Sequence, residues 1–345
     1  MEQQDWDPWC QRPSGLIAPS RIDQTGRAGP TRGQAAGPNW ERVAPGWYTP
    51  VVRPDCVEQR ILEQACRLVE KDKGAVTAWA SLRWQGGAFF DGLGPAGQAR
   101  LPVPLLLGTG SVRPAAGSQI SKEQVAPTER LVLDGLPVTT IQRALFDEVR
   151  RRGELWAGVQ AIDMAAAARL ISVALFWAYV AHRPAWEGVP LVRKALCLAS
   201  DDSRSPRETW LRLVWVLLAE LPPPLCNRSV FNRDGQLLGV PDIFDPVAGV
   251  VGEYSGAHHT DLVRHRLDVS REELFRNHGL EYFEVVRGDS RAVAAQRMLD
   301  ARARAKFLPS ESCAWTLTRP PWSPEPESLD DYFRRQGMVQ ILTHR

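Results

Sequence analysis

The sequence predicts an α+β/α/β protein: a small N-terminal unit of helix and hairpin, a mostly helical α/β middle region, and a C-terminal domain ordered α-β-β-β-α-β-α. Three observations carry this. Residues 203–221 have helical periodicity behind Ser205, a strong N-cap, with Pro206 in the first helical position. Residues 235–260 read as a hairpin: 237–245 and 250–254 are apolar, β-rich runs, and Pro246-Val247-Ala248-Gly249 lies between them as a loop. Between 55 and 202, amphipathic helical stripes alternate with short strand-like runs.

In chain order, 1–13 is a polar tail without an apolar core, so no secretory signal is expected. Within 14–54, Thr31 caps a short helix over 32–36, and 40–43 and 46–48 are short strands joined by Ala44-Pro45. A helix followed by a two-stranded wing is the outline of a winged helix. Arg21, Arg27, Arg32 and Arg42 give it a basic tilt, and such a module sets its arginines mainly on phosphates. The alternative is a Gly- and Pro-rich arm with scattered arginines, which the pattern alone favours.

Residues 55–71 predict a helix with Val57, Ile61, Leu62, Ala65, Leu68 and Val69 in one stripe. A second helix is expected over 75–84, strands over 103–107 and 130–133, a turn at Gly135-Leu136-Pro137, and helices over 140–151, 155–168 and 172–182. This middle region carries no catalytic constellation, and its Trp and Leu positions read as core. The most apolar run, 165–181, is interrupted by Arg169 and is shorter than the ~20 residues of a membrane span, so a buried helix is expected.

Beyond the hairpin, 262–277 is a basic helix, with Arg264 and Arg271 as candidate phosphate contacts and Gly279 as its C′ residue. A strand over 281–287 and a helix over 290–306 complete the C-terminal domain, 203–306. Residues 307–345 form a Pro-rich tail with a short helix over 329–336.

Among 345 residues, 44% are apolar and 24% charged, an ordinary globular composition, and the net charge is +2. No global basic excess points to nucleic acid, so any such surface must be local. The six cysteines include no C-x-x-C pair, which argues against a zinc ribbon and suits reduced thiols in a cytosol.

The hairpin raises a chemical question. Directly opposed residues of an antiparallel pair share one face, with Cβ atoms roughly 4.5–5.5 Å apart. If Asp245 opposes Val250, then Asp242 opposes Glu253. Two like charges in that arrangement repel unless a cation joins them. The pair suits a hard divalent ion, Mg²⁺ or Mn²⁺. A loop one residue different would put the two carboxylates on opposite faces. Glu208 also has two readings: the third helical residue of a capping box with Ser205, or a third carboxylate aimed at the pair. His258 and His259 follow the second strand, as solvent-facing residues or as functional ones.

Three pieces of this chain carry a resemblance: Ser205-Pro206-Arg207-Glu208, Pro241-Asp242, and Glu253-Tyr254-Ser255-Gly256-Ala257-His258-His259. Together they resemble the nuclease-like domain related to very-short-patch repair endonucleases, within the PD-(D/E)XK superfamily. Upstream, Arg42-Val43-Ala44-Pro45-Gly46-Trp47-Tyr48 and Asp134-Gly135-Leu136-Pro137-Val138-Thr139-Thr140 resemble the AbiEi-antitoxin-like part that precedes this domain in actinobacterial proteins. The resemblance implies a restriction-endonuclease-like C-terminal fold. It implies that Asp242 and Glu253 hold Mg²⁺ (or Mn²⁺) with the Tyr254 carbonyl as a further ligand. Glu208 would be the helix carboxylate beside them, and His259 would assist proton transfer or contact phosphate. One departure matters: the superfamily places a lysine, and this branch usually an aspartate, where this chain has Ser255. If that position supplies transition-state charge, its loss slows chemistry by ~10²–10³-fold.

The expectation is a cytoplasmic bacterial protein that associates with DNA and carries a metal-dependent phosphodiesterase domain. The alternative is a non-catalytic DNA-binding regulator or antitoxin-like protein, with a cognate toxin or its operator as partner. No membrane association is expected.

Overall fold

In the computed structural model of the chain, several helices open on a Ser or Thr whose hydroxyl accepts from the backbone N–H three residues on. Thr31, Thr140, Ser172, Ser205, Ser290 and Ser328 all act this way. Each satisfies one donor that a helix N-terminus leaves without a partner. The structure describes residues 7–68, 74–94, 97, 99–108, 117–255 and 271–337. The fold is mixed α/β, and it divides into two units: Met1–Ala161 with Ala168–Arg193, and Ile162–Ala167 with Lys194–Arg345.

The first unit begins with α1 (Arg32–Ala35), β1 (Trp40–Ala44) and β2 (Trp47–Pro50). The two strands form an antiparallel pair with an irregularity between Arg42 and Ala44. Next come α2 (Val57–Ala65), β3 (Ala75–Val76), α3 (Ala78–Trp84), β4 (Val103–Leu106), β5 (Ser118–Ser121), β6 (Arg130–Leu133) and β7 (Leu136–Thr139). The helices α4 (Ile141–Arg152), α5 (Leu155–Ala167), α6 (Val173–Ala181) and α7 (Val189–Leu196) follow, with Ile162–Ala167 of α5 and Lys194–Leu196 of α7 belonging to the second unit. Strands β3 to β7 make one mixed sheet in the order β5-β4-β3-β7-β6.

Two expectations are corrected here. Residues 75–84 are not one helix: Ala75–Val76 pair with β4 and β7, and α3 starts only at Ala78, whose φ of 49° breaks the two apart. The turn is Asp134-Gly135, not Gly135-Leu136-Pro137. Both turn residues have positive φ, 50° and 77°, which matches the right-handed twist of a tight hairpin and leaves Leu136 and Pro137 in β7. The buried Arg143 guanidinium is shared by Asp147 at 2.9 Å and Glu129 at 3.3 Å, and Tyr179 donates to Glu129 at 2.7 Å. These charges neutralise one another inside the core.

The second unit contains α8 (Pro206–Leu217), β8 (Leu225–Cys226), β9 (Val230–Asn232), β10 (Leu237–Gly239), β11 (Ile243–Asp245) and β12 (Val250–Ser255). Helix α9 is described over 271–277. Then come β13 (Glu281–Val286), α10 (Arg291–Arg304), β14 (Trp315–Thr316) and α11 (Leu329–Arg335). One sheet is ordered β13-β12-β11-β8 and a smaller one β10-β9-β14. The larger sheet is mixed, since β12 runs parallel to β13 and antiparallel to β11.

The predicted α-β-β-β-α-β-α order is therefore corrected: among the described residues, five strands lie between α8 and α9. The apolar run 237–245 divides because Val240-Pro241-Asp242 leaves one sheet and enters the other. Pro241 has no N–H for a ladder, so pairing cannot run through it. Leu238 then packs with Phe244, Val251, Phe275 and Trp315 in the apolar layer between the two sheets. Trp315 comes from the expected Pro-rich tail, which contributes β14 to the smaller sheet.

The opposite face of the larger sheet packs against α8 and α10. Trp215 stacks on Phe283 with centroids 5.9 Å apart. Phe283 lies directly over Gly252, where a Cβ would meet its ring at 2.2 Å, so only glycine fits. Helix α8 is anchored from within by Asp163. That carboxylate accepts from Thr209 and Ser200 at 2.8 Å and pairs with the buried Arg212. Among the described residues no helix is long and apolar enough to cross a membrane; the run 165–181 is divided between α5 and α6. All six cysteines are free thiols.

Candidate functional site

Strand β11 pairs with β12 as Ile243 to Gly252, Phe244 to Val251 and Asp245 to Val250. Continued by one residue, that register sets Asp242 opposite Glu253 on one face of the sheet. Asp242 lies just before β11, and its side chain replaces a ladder partner: Tyr254 N–H donates to Asp242 Oδ2 at 2.8 Å. Pro241, which the register would put opposite Tyr254, has no N–H to give the Tyr254 carbonyl.

On the other side of β12, Glu253 is in parallel register with Glu284 of β13. A row of carboxylates, Asp242, Glu253 and Glu284, thus crosses three neighbouring strands. Glu284 is exposed and carries no signal in the sequence beyond its place in an alternating strand.

Glu208 reaches the same end of the sheet from the first turn of α8. Its backbone N–H donates to Ser205 Oγ at 3.2 Å, the expected cap. The reciprocal half differs from a capping box: Glu208 Oε2 accepts from Arg204 N–H, not from Ser205, at 2.7 Å. The same oxygen accepts from Asn227 Nδ2, also at 2.7 Å. The capping box is thus half formed: Ser205 caps the helix, while the Glu208 carboxylate turns to Arg204 N–H and Asn227 and adds negative charge near Asp242.

Asp242 is held well above the ordinary carboxylate value, first by burial and next by the negative charge of Glu208. The Tyr254 N–H works against that shift, and Glu253 adds to it. Burial and two neighbouring carboxylates thus bear on Asp242. Positive charge comes from Arg271 of α9, whose Nη1 lies 3.0 Å from Glu253 Oε1 and which opposes the rise at Asp242. Tyr282 Oη donates to Glu253 Oε2 at 3.4 Å. At the other end of the cluster, exposed Arg207 lies over the Tyr254 ring at 5.6 Å.

Asp245, the second acid of the Pro-Asp-Ile-Phe-Asp run, has a structural task. It accepts from Val247 and Ala248 N–H at 3.0 and 3.1 Å and from Arg302 at 3.0 Å, which shapes the hairpin loop. Ser255 is half-buried, and its carbonyl accepts from Arg287 N–H at 3.1 Å; its side chain brings no charge.

The structure brings together Glu208, Asp242, Glu253, Tyr254 and Arg271. His259 and Arg264 lie outside the described residues. Arg21, Arg27, Arg32 and Arg42 are exposed in the first unit. Arg21 stacks on Trp47 at 4.7 Å, and Arg42 Nε donates to the Ala44 carbonyl at 3.4 Å. Arg27 sits in a loop wound around Asp23, whose carboxylate accepts from the N–H groups of Thr25, Arg27 and Ala28. Sequence reasoning missed Asn227, Glu284, Arg207 and Tyr282. Arg207 lies inside the Ser-Pro-Arg-Glu piece beside Glu208, whereas Asn227, Glu284 and Tyr282 belong to no motif and come to the cluster only through pairing or packing.

Carboxylate oxygens are the donors that a hard divalent cation takes. The described hydrogen bonds to these acids fall on Glu208 Oε2 and Asp242 Oδ2. As the side chains stand, no three His, Cys, Asp or Glu residues among those described form a metal-holding group.

The class defined by this geometry is a mixed α/β protein with carboxylates gathered at one end of a sheet and arginines beside them. No family model matches the chain, and no curated protein or solved structure matches it.

Proposed function

We propose that the second unit is a divalent-metal-dependent phosphodiesterase domain acting on DNA, with Asp242, Glu253 and Glu208 as its acidic centre. The carrying observation is the register that puts Asp242 and Glu253 on one face while Glu208 reaches them from α8. A helix–sheet unit with its acids at the sheet end supports a restriction-endonuclease-like arrangement, and the four-residue α1 beside the β1–β2 hairpin supports at most a reduced winged helix. Asp242 and Glu253 would hold the ion, with the Tyr254 carbonyl and water completing its oxygen shell. The ion would supply Lewis-acid polarisation of the scissile phosphate and a more acidic attacking water. The chain's own residues do the rest. Glu208 is held in one orientation by Arg204 and Asn227, and Arg271 and Arg207 offer guanidinium groups to the phosphate backbone.

A second reading has its own support. Glu253 is already paired with Arg271, and Ser255 brings neither charge nor a ligand. A DNA-binding regulator or antitoxin-like protein built on this fold would keep phosphate affinity without cutting. In that reading Arg27, Arg32 and Arg42 of the first unit share the contact with DNA.

The test is incubation with supercoiled, linear and mismatched DNA, in Mg²⁺ and separately in Mn²⁺, beside an Asp242→Ala/Glu253→Ala control. Cutting by the wild type alone supports the phosphodiesterase. Equal DNA binding by both proteins with no cutting by either supports the regulator.

A further inference from the structure

Strand β6 ends one side of the five-stranded sheet in the first unit, and among the described residues no strand lies on its outer edge. The β6–β7 hairpin fixes which main-chain groups face outward. Asp134-Gly135 is a two-residue turn, so Leu133 and Leu136 are the hydrogen-bonded pair that closes it. Alternation makes Leu131 and Val138 the next such pair. Val132 is left opposite Pro137, which has no N–H to exchange. The N–H and C=O of Val132 therefore point away from β7. Arg130 shares that direction, but its N–H is used on the Pro127 carbonyl.

The side chains leave this edge open as well. Val132 is 57% exposed and Leu131 39%, while all four residues of β7 are buried. The edge strand β13 is treated differently. Arg276 and Arg297 donate to the carbonyls of Tyr282 and Glu284, and Asp289 accepts from Val286 N–H, so side chains close that edge. Among the described hydrogen bonds, no side chain does this for the Val132 main chain. An open apolar edge is a template for another strand.

The residues of β6 are complementary to themselves. Antiparallel pairing about a two-fold axis at Val132 sets Val132 against Val132 of a second copy, Leu131 against Leu133, and Arg130 against Asp134. The outward N–H and C=O of Val132 then exchange both bonds with their counterparts. Aliphatic side chains meet with Cβ atoms roughly 4.5–5.5 Å apart, and opposite charges meet at each end. Registers centred on Leu131 or Leu133 would instead set Arg130 or Asp134 against Val132 and leave the charges unmatched. We propose that β6 is the interface strand for a second copy of this chain, joined antiparallel about Val132 so that the two sheets continue as one. So short a ladder buries less than a standard interface, so the dimer forms weakly and in step with concentration.

The experiment is sedimentation velocity of the full chain over a concentration series, with thermal unfolding as the control on folding. Wild type should shift from the sedimentation coefficient of a monomer toward that of a dimer as concentration rises. Val132→Pro should stay monomeric throughout while its unfolding temperature stays near that of wild type, because proline is tolerated on an edge strand where the N–H faces solvent. Arg130→Glu should also stay monomeric, since two acids then face each other at each end. Arg130→Glu combined with Asp134→Lys should regain the dimer, and this pair decides the matter if Val132→Pro does not fold. A wild type that remains monomeric at the highest concentration overturns the proposal. So does a dimer that persists in folded Val132→Pro or Arg130→Glu, or one that the combined exchange fails to recover.

Discussion

Tyr254 N–H donates to Asp242 Oδ2 at 2.8 Å, just where β11 stops supplying main-chain partners to β12. The bond holds a carboxylate against its own tendency to stay in water. Burial, Glu208 and Glu253 together outweigh it, so Asp242 keeps its proton well above the ordinary 3.8. A carboxylate with a raised folded pKa stabilises the fold below its unfolded pKa and loses that contribution as pH rises through the folded one. Metal-free Asp242→Asn should therefore gain on wild type in urea unfolding as pH rises above the ordinary carboxylate value. A difference independent of pH would count against the raised proton affinity.

Divalent cations should reverse that trend. Mn²⁺ at about 100 times its Kd should stabilise wild type by about 2.7 kcal/mol, and the gain should shrink as acid protonates Asp242. Differential scanning fluorimetry reads it directly. Asp242→Ala and Glu253→Ala should each abolish the shift, and a shift that survives both places the ion elsewhere.

Arg271 pairs with the carboxylate that a cation would need. Arg271→Ala should tighten Mn²⁺ binding, because a competing positive charge is gone. The same change should weaken DNA binding and lower its log–log salt slope by about 1 if the guanidinium also meets phosphate. Fluorescence anisotropy across a salt series separates the two effects. An unchanged slope would confine Arg271 to Glu253.

Gly252 carries the ring of Phe283 where a side chain would otherwise stand. Gly252→Ala should destabilise by about 1–3 kcal/mol through overpacking in denaturant unfolding. Wild-type stability in this variant would mean that Phe283 and Trp215 can move aside together.

Asp163 is the buried partner of Arg212 under α8. Removing it strands a buried guanidinium, so Asp163→Ala should cost about 3–5 kcal/mol in the same assay, and Asp163→Asn less.

The sequence by itself determined the elements whose causes are local. Ser205, Thr140 and Ser290 announce their helices because a cap needs only the next three residues. Gly279, with φ of +80°, ends α9 for a reason equally local. Of the two hairpin registers that the sequence left open around the Pro246–Gly249 loop, the one that opposes Asp245 to Val250 is found. Tertiary structure alone decided the rest. The run 237–245 looks continuous because both halves are apolar, and only two separate sheets to pair with divide it at Pro241. Asn227 and Arg271 reach the carboxylates from β8 and α9, and Glu284 joins them through a parallel pairing. No spacing along the chain encodes those meetings, because they depend on which strands lie side by side once the apolar faces of the sheet have been buried.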